Sequence, residues 1–223
     1  MPPDDLHRPG SKGPISLPKL LVVEGADQWY FLKAALQHFH IPPYIELHNY
    51  GGVTDLGPFL ETLPAITGFE QVTSLGVIRD AEVGGAPDAF LAICRAIEAA
   101  REYPDSNPWR RRLTVPSRPL ERTGDELKVS TFILPDCVGP GSIETLCLDS
   151  VRGNPAMQCV DDYVRCLEGR HIRLHANRDK TRLHAFLSSC AVPDFKLGEA
   201  AHAGFFPWES ATFRLLREFL TTL

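Results

Sequence analysis

Short apolar runs alternate along this chain with stretches whose apolar residues recur every three or four positions. Residues 20–24 read as a buried strand, and residues 27–38 as an amphipathic helix with Trp29, Phe31, Leu32, Ala35 and Leu36 at its apolar positions. Residues 44–49 alternate as a second strand closed by Gly51-Gly52. Residues 56–63 follow as a helix, residues 74–79 as a third strand and residues 87–101 as another helix. Strand and helix in this order predict an α/β fold with a mainly parallel central sheet flanked by helices.

The alternation breaks between Tyr103 and Glu126, where Pro104, Pro108, Pro116 and Pro119 fall among Arg110, Arg111, Arg112, Arg118 and Arg122. A β-hairpin insertion around 103–136 is expected there. Residues 113–120 would form an edge strand, which tolerates proline, residues 128–134 its partner, and Thr123-Gly124-Asp125 the turn. Residues 143–151, 156–167, 179–189 and 213–220 read as helices, a helical extension over 143–223 that completes a domain spanning 19–223. Residues 1–18, with five prolines and mixed charges, read as a disordered leader. Trp29, Trp208 and Phe213 are expected in the core or at an interface, and His175 and His184 on solvated faces or near Lys180.

Composition narrows the function classes. A net charge of -5 and a pI near 5.9 argue against coating nucleic acid by bulk charge, while leaving room for a local basic patch or bound divalent cations. Six cysteines without a C-x-x-C pair argue against structural zinc and for a reducing, cytoplasmic compartment. No apolar run reaches the roughly 18–20 residues that span a bilayer, so a soluble protein without membrane contact is expected.

The candidate chemistry lies where strands end. Glu24 closes the first strand, and Asp80-Ala81-Glu82 follows the third. Ligands of open α/β sheets bind at the carboxyl ends of strands, so these three acids can converge. Asp80 and Glu82 point the same way along an extended segment, a spacing that lets two carboxylates share one cation. Taken singly, Glu24 reads as a turn residue and the pair as solvated charges or a helix cap. Clustered together, like charges about 4 Å apart at an effective dielectric near 20 repel by roughly 4 kcal/mol, so they either raise their pKa values or hold a cation. Oxygen ligands without a His/Cys set suit Mg²⁺ or Mn²⁺. Farther on, Ser142 is placed to cap a helix with Glu144 in its first turn, where the helix dipole favours an acid. Asn177 is placed to cap the helix containing Lys180, a lysine at the unfavourable end of the dipole, to be balanced by an anionic ligand or by a nearby acid such as Asp179. Arg110, Arg111 and Arg112 read either as a guide for a phosphate backbone or as a solvated edge that discourages strand pairing.

The order Val23-Glu24-Gly25, Asp80-Ala81-Glu82, Gly141-Ser142-Ile143-Glu144 and Lys180 resembles the TOPRIM domain of topoisomerases, primases and related nucleases. The last two elements are similar to those of OLD-type nucleases, and the stretch from Lys180 to Trp208 to a group of small stand-alone TOPRIM proteins. Where the pattern has Asp-x-Asp, this chain has Glu82, which keeps the charge and lengthens the arm by one methylene. The resemblance covers roughly residues 18–222. It implies a TOPRIM-like Rossmannoid fold and a Mg- or Mn-dependent nuclease hydrolysing phosphodiester bonds in DNA or RNA. Glu24, Asp80 and Glu82 would hold a metal, Glu144 would help with a second, and Lys180 would stabilise developing charge; alternatively, Glu24 would serve as general base. It further implies an ATPase partner protein in anti-phage defence, in keeping with the lack of a phosphate-binding loop in this chain; self-association into a homo-oligomer stays open. A second reading is a non-catalytic TOPRIM module binding nucleic acid, nucleotide or a partner protein.

Overall fold

The computed structural model describes residues 13–52 and 54–223. Among these, four strands form one parallel sheet in the order β2-β1-β3-β4: β1 (Lys19–Val23), β2 (Ile45–Asn49), β3 (Ser74–Asp80) and β4 (Lys128–Leu134). Helices α1 (Ala26–His38), α2 (Leu56–Thr62) and α3 (Ala86–Glu102) connect the first strands, as the sequence pattern predicts. The helices α4 (Ile143–Ser150), α5 (Ala156–Gly169), α6 (Arg178–Ser188), α7 (Leu197–His202) and α8 (Arg214–Thr222) follow β4. The result is a Rossmann-like α/β architecture. No helix among the described residues is long and apolar enough to cross a membrane.

Each central strand is apolar on both sides because each face of the sheet carries its own core. Leu20 and Val22 of β1 join Leu75, Val77, Val129 and Ile133 against α2 and α3. Leu21 and Val23, pointing the other way, join Ile78, Phe132 and Leu134 against α1 and the C-terminal helices. On α3, Ala86, Ala89, Ile93, Ile97 and Ala100 form the buried stripe, with period near 3.6. On the opposite face Phe31 packs 5.2 Å from Trp208 and 6.2 Å from Phe213 between ring centroids, so Trp29, Trp208 and Phe213 are core residues as expected.

Three expectations are corrected. Residues 128–134 do not form half of a hairpin; they pair in parallel with β3 along its whole length, from Ser74 beside Lys128 to Asp80 beside Leu134. Residues 129–134 are all buried, including Ser130 and Thr131, the mark of a strand covered on both faces rather than of a half-solvated hairpin arm. Residues 113–119 are not a strand, since Pro116 and Pro119 withdraw ladder donors. Only Leu120 N–H, donating to Thr131 O at 2.9 Å, and a Thr123–Val129 bridge follow the edge of β4.

Of the expected leader, residues 1–12 lie outside the described residues, and its last part is packed structure. Ile15 is buried and donates its N–H to Thr67 O, while the N–H groups of Ser16 and Leu17 and the Ser16 hydroxyl all donate to Glu46 Oε2. Helix α7 was not expected. It packs so closely on α1 that a Cβ on Gly198 would lie 2.2 Å from Tyr30 Cβ.

Glu46 is a buried carboxylate whose second oxygen lies 2.8 Å from His48 Nε2. Burial alone would raise its pKa, but His48 and the Ser16 donors outweigh that and hold it below the ordinary glutamate value of 4.5. A depressed folded pKa gives stability that is present above the unfolded value and lost as the pH falls through the folded one. Glu46→Gln should therefore cost roughly 2–3 kcal/mol at neutral pH. In urea titrations the gap from wild type should narrow as the pH drops below 4.5; a gap that stays constant with pH would refute the charge-assisted anchor.

Candidate functional site

In a sheet of order β2-β1-β3-β4 the chain leaves β1 toward one side and later returns on the other, so the switch point lies between the carboxyl ends of β1 and β3. Glu24 follows β1 directly, and Asp80 is the last residue of β3. Glu82 follows in a left-handed conformation, φ 55°, held by paired hydrogen bonds with Gly141: Glu82 N–H donates to Gly141 O at 2.7 Å and Gly141 N–H to Glu82 O at 3.0 Å. Gly141 itself has φ 132°, and a Cβ there would stand 2.7 Å from Thr145 Oγ1, so glycine lets this loop cross the start of α4. Carboxylate oxygens of Glu24, Asp80 and Glu82 lie within 4.8 Å of one another. The three acids thus converge as their positions at the strand ends predict.

Glu144 and Lys180 open onto the same cleft, which has a volume of about 650 Å³. Ser142 caps α4 and donates through Oγ to Glu144 Oε2 at 2.7 Å, while Lys180 Nζ stands 3.8 Å from Glu144 Oε1. Asn177 caps α6, accepting from the N–H groups of Asp179 and Lys180, and its side-chain amide donates to Ser142 Oγ at 3.2 Å. The starts of α4 and α6 are thereby knitted together. Asp179 is engaged by Thr145 Oγ1 and Arg182, so the acid facing Lys180 is Glu144. Glu144 stands beside the three-carboxylate group rather than in it, with both of its oxygens partnered.

The sequence pattern did not single out Gln28. It is buried in the first turn of α1, where its Oε1 accepts the Glu24 N–H at 3.0 Å and its side chain also faces Asp80. The signal was present as a Gln three residues past Gly25, the N-cap of α1 and the position from which a side chain reaches back over a helix start.

The three arginines are not at this site. Arg110 is buried, donating through Nε to Asp105 Oδ1 at 2.6 Å and through Nη1 to Ala100 O, with Tyr103 stacked beneath it. Arg112 ties together the loops ahead of β3 and β4, donating to Val72 O at 2.6 Å and pairing with Glu126 at 3.6 Å. These loops lie at the sheet's amino edge, opposite the acids. Arg110 and Arg112 are structural because most of their donors are spent on fixed carbonyls and carboxylates; Arg111 is exposed at that far end.

Electrostatics set the character of the cleft. Burial pushes the Asp80 carboxyl well up, and the charges of Glu24, Glu144 and Glu82 push it further, against a small relief from Gln28. Burial also raises Glu24, with Glu82 and Glu144 adding to it and the Asp80 N–H and Arg79 opposing it. Glu24 Oε2 is buried and has no hydrogen-bond partner in the protein. A lone oxygen of this kind, inside a group of hard oxygen donors and among raised pKa values, fits a divalent cation of the Mg²⁺ or Mn²⁺ type.

A family model described as a protein of unknown function, DUF3226, matches residues 18–223. The chain belongs to the DUF3226 family. No curated protein and no solved structure matches it significantly. The match covers every element that builds the cleft, from β1 to α8.

Acids with raised folded pKa values are favoured in their neutral form by folding, so the metal-free protein loses stability as the pH rises above their ordinary values. Asp80 Oδ1 accepts the Ile143 N–H at 3.0 Å, a bond that an asparagine oxygen retains. Asp80→Asn should therefore stabilise the metal-free protein at pH 7 by roughly 1–3 kcal/mol, relieving like-charge repulsion. Thermal melts should further show Mg²⁺ or Mn²⁺ raising the midpoint of the wild type but not of this variant. A destabilised Asp80→Asn protein would show instead that the fold needs the charge.

Proposed function

We propose that this protein is a divalent-cation-dependent nuclease of the TOPRIM type, hydrolysing phosphodiester bonds at the cleft between β1 and β3. The observation that carries the reading is the convergence of Glu24, Asp80 and Glu82, whose carboxylate oxygens lie within 4.8 Å of one another, at a glutamate whose Oε2 is buried without a hydrogen-bond partner. Those three side chains would hold the cation, which when bound supplies Lewis-acid polarisation of a phosphate oxygen and acidifies an attacking water. The Asp80 carboxylate is fixed by the α4 N-terminus, and the Glu24 backbone N–H is held by Gln28, so the Asp80 carboxylate is already in position as substrate enters.

Lys180 brings an ammonium to the cleft beside Glu144. Its ion pair with Glu144 is long, at 3.8 Å, and a phosphate entering the cleft competes for the ammonium and takes over its charge. Glu144 then keeps its bond to Ser142 and holds Lys180 over the cleft between turnovers. In an alternative assignment, Glu24 would act as the general base toward the attacking water instead of as a ligand of the cation.

Cleavage of supercoiled plasmid, single-stranded DNA and a tRNA pool in Mg²⁺ or Mn²⁺ tests the proposal. Glu24→Ala and Asp80→Ala should each lower the rate by about 10³-fold or more, and Lys180→Ala by about 10²-fold. Metal-independent cleavage, or wild-type rates in the Glu24 and Asp80 variants, would refute it. Metal binding with no cleavage of any substrate would favour a non-catalytic module.

A further inference from the structure

The acidic cleft continues past Lys180. A second groove of about 500 Å³ lies where α5 meets α6 and shares Lys180 and His175 with the cleft. Tyr163 from α5 forms one wall; Lys180, Thr181, His184 and Ser188, on one face of α6, form the other. The change in chemistry along this path is abrupt. Where the cleft presents five acids, the groove lining has no carboxylate, and offers instead an ammonium, two imidazoles, two aliphatic hydroxyls and a phenol ring.

Tyr163 is 53 % exposed, while α5 meets the core through Met157, Val160 and Val164. The ring is therefore not needed for packing. From Lys180 to Ser188 the helix advances about 12 Å, the length of roughly three stacked nucleotides. Ring, cation and hydroxyls along such a path match a single strand, whose bases stack on aromatic faces while its phosphates follow positive charge. A groove of this volume accepts a splayed strand rather than a stacked duplex.

We propose that the α5–α6 groove is the binding track for the single nucleic-acid strand flanking the scissile phosphate, with a base stacked on Tyr163 and the backbone passing Lys180, Thr181 and His184. The proposal deepens the nuclease reading and rests on it for the identity of the ligand.

Two measurements keep the readings separable. Hydrolysis of bis(p-nitrophenyl) phosphate by the wild-type protein in Mn²⁺ reports the acidic cleft, because this diester is too small to need the groove. Fluorescence anisotropy with short single-stranded DNA, single-stranded RNA and duplex DNA, with Ca²⁺ replacing Mg²⁺, reports the groove. Tyr163→Ala should weaken single-strand binding by about 10-fold, while Tyr163→Phe, which keeps the ring face, should stay within about 2-fold of wild type. His184→Glu should also weaken binding, with an effect that shrinks at high salt. The tighter of the DNA and RNA strands identifies the sugar.

Single-strand affinity unchanged in Tyr163→Ala, or an equal loss in Tyr163→Phe, would overturn the track. If the small diester is hydrolysed while Tyr163→Ala has no effect, the track falls and the nuclease reading stands. If the diester is not hydrolysed but Tyr163-dependent binding of a single strand remains, the track stands and the nuclease reading falls.

Discussion

The parallel pairing of β1 with β3 is the constraint on which the cleft depends. With Val22 beside Val77, the two strands leave the sheet as neighbours, and their next polar residues, Glu24 and Asp80, are brought together whatever the electrostatic cost. The pairing is secured by the burial of Leu20, Leu21, Val22, Leu75, Val77 and Ile78 on two separate cores, a hydrophobic contribution much larger than the repulsion it imposes. Charge crowding at the switch point is thus a consequence of the hydrophobic sheet, and the surroundings offset only part of it.

Part of that compensation comes from helix starts, beside the Asp80 N–H and Arg79 of β3. The α1 start turns the Gln28 side chain toward Asp80, the α4 start gives the Ile143 N–H to Asp80, and the α6 start brings Lys180 to Glu144. Each places the positive end of a helix dipole near an acid, favouring the charged form by a fraction of a kcal/mol to about 1 kcal/mol. The carboxyls of Asp80 and Glu24 nevertheless remain raised, and Glu24 Oε2 remains without a partner. The protein keeps an unneutralised site in place, the arrangement expected where a cation or a reacting phosphate supplies the missing interaction.

The parallel core and the acid positions were legible because an uninterrupted apolar run ending in a carboxylate has few readings other than a central strand reaching a ligand edge. The strand at 128–134 is legible, but its pairing is not: arginine and proline ahead of it resemble a hairpin, whereas the decisive feature, burial of Ser130 and Thr131 on both faces, depends on partners far away in sequence. The arginines misled for a similar reason. A cluster of charges shows its sign in sequence, but Asp105, Val72 and Glu126, which occupy Arg110 and Arg112, come together only in the fold. Ile15 docks beside Thr67 and Ser16 on Glu46 through contacts more than 25 residues away, so a proline-rich composition concealed an anchored segment.

The central claim is that the three carboxylates at the switch point form a divalent-cation site. Anomalous diffraction from crystals soaked in Mn²⁺ addresses it directly. The account predicts one peak bonded to Glu24 Oε2 and to oxygens of Asp80 and Glu82, absent in Glu24→Ala; a cleft free of anomalous density, or Mn²⁺ bound only away from Glu24, would contradict it.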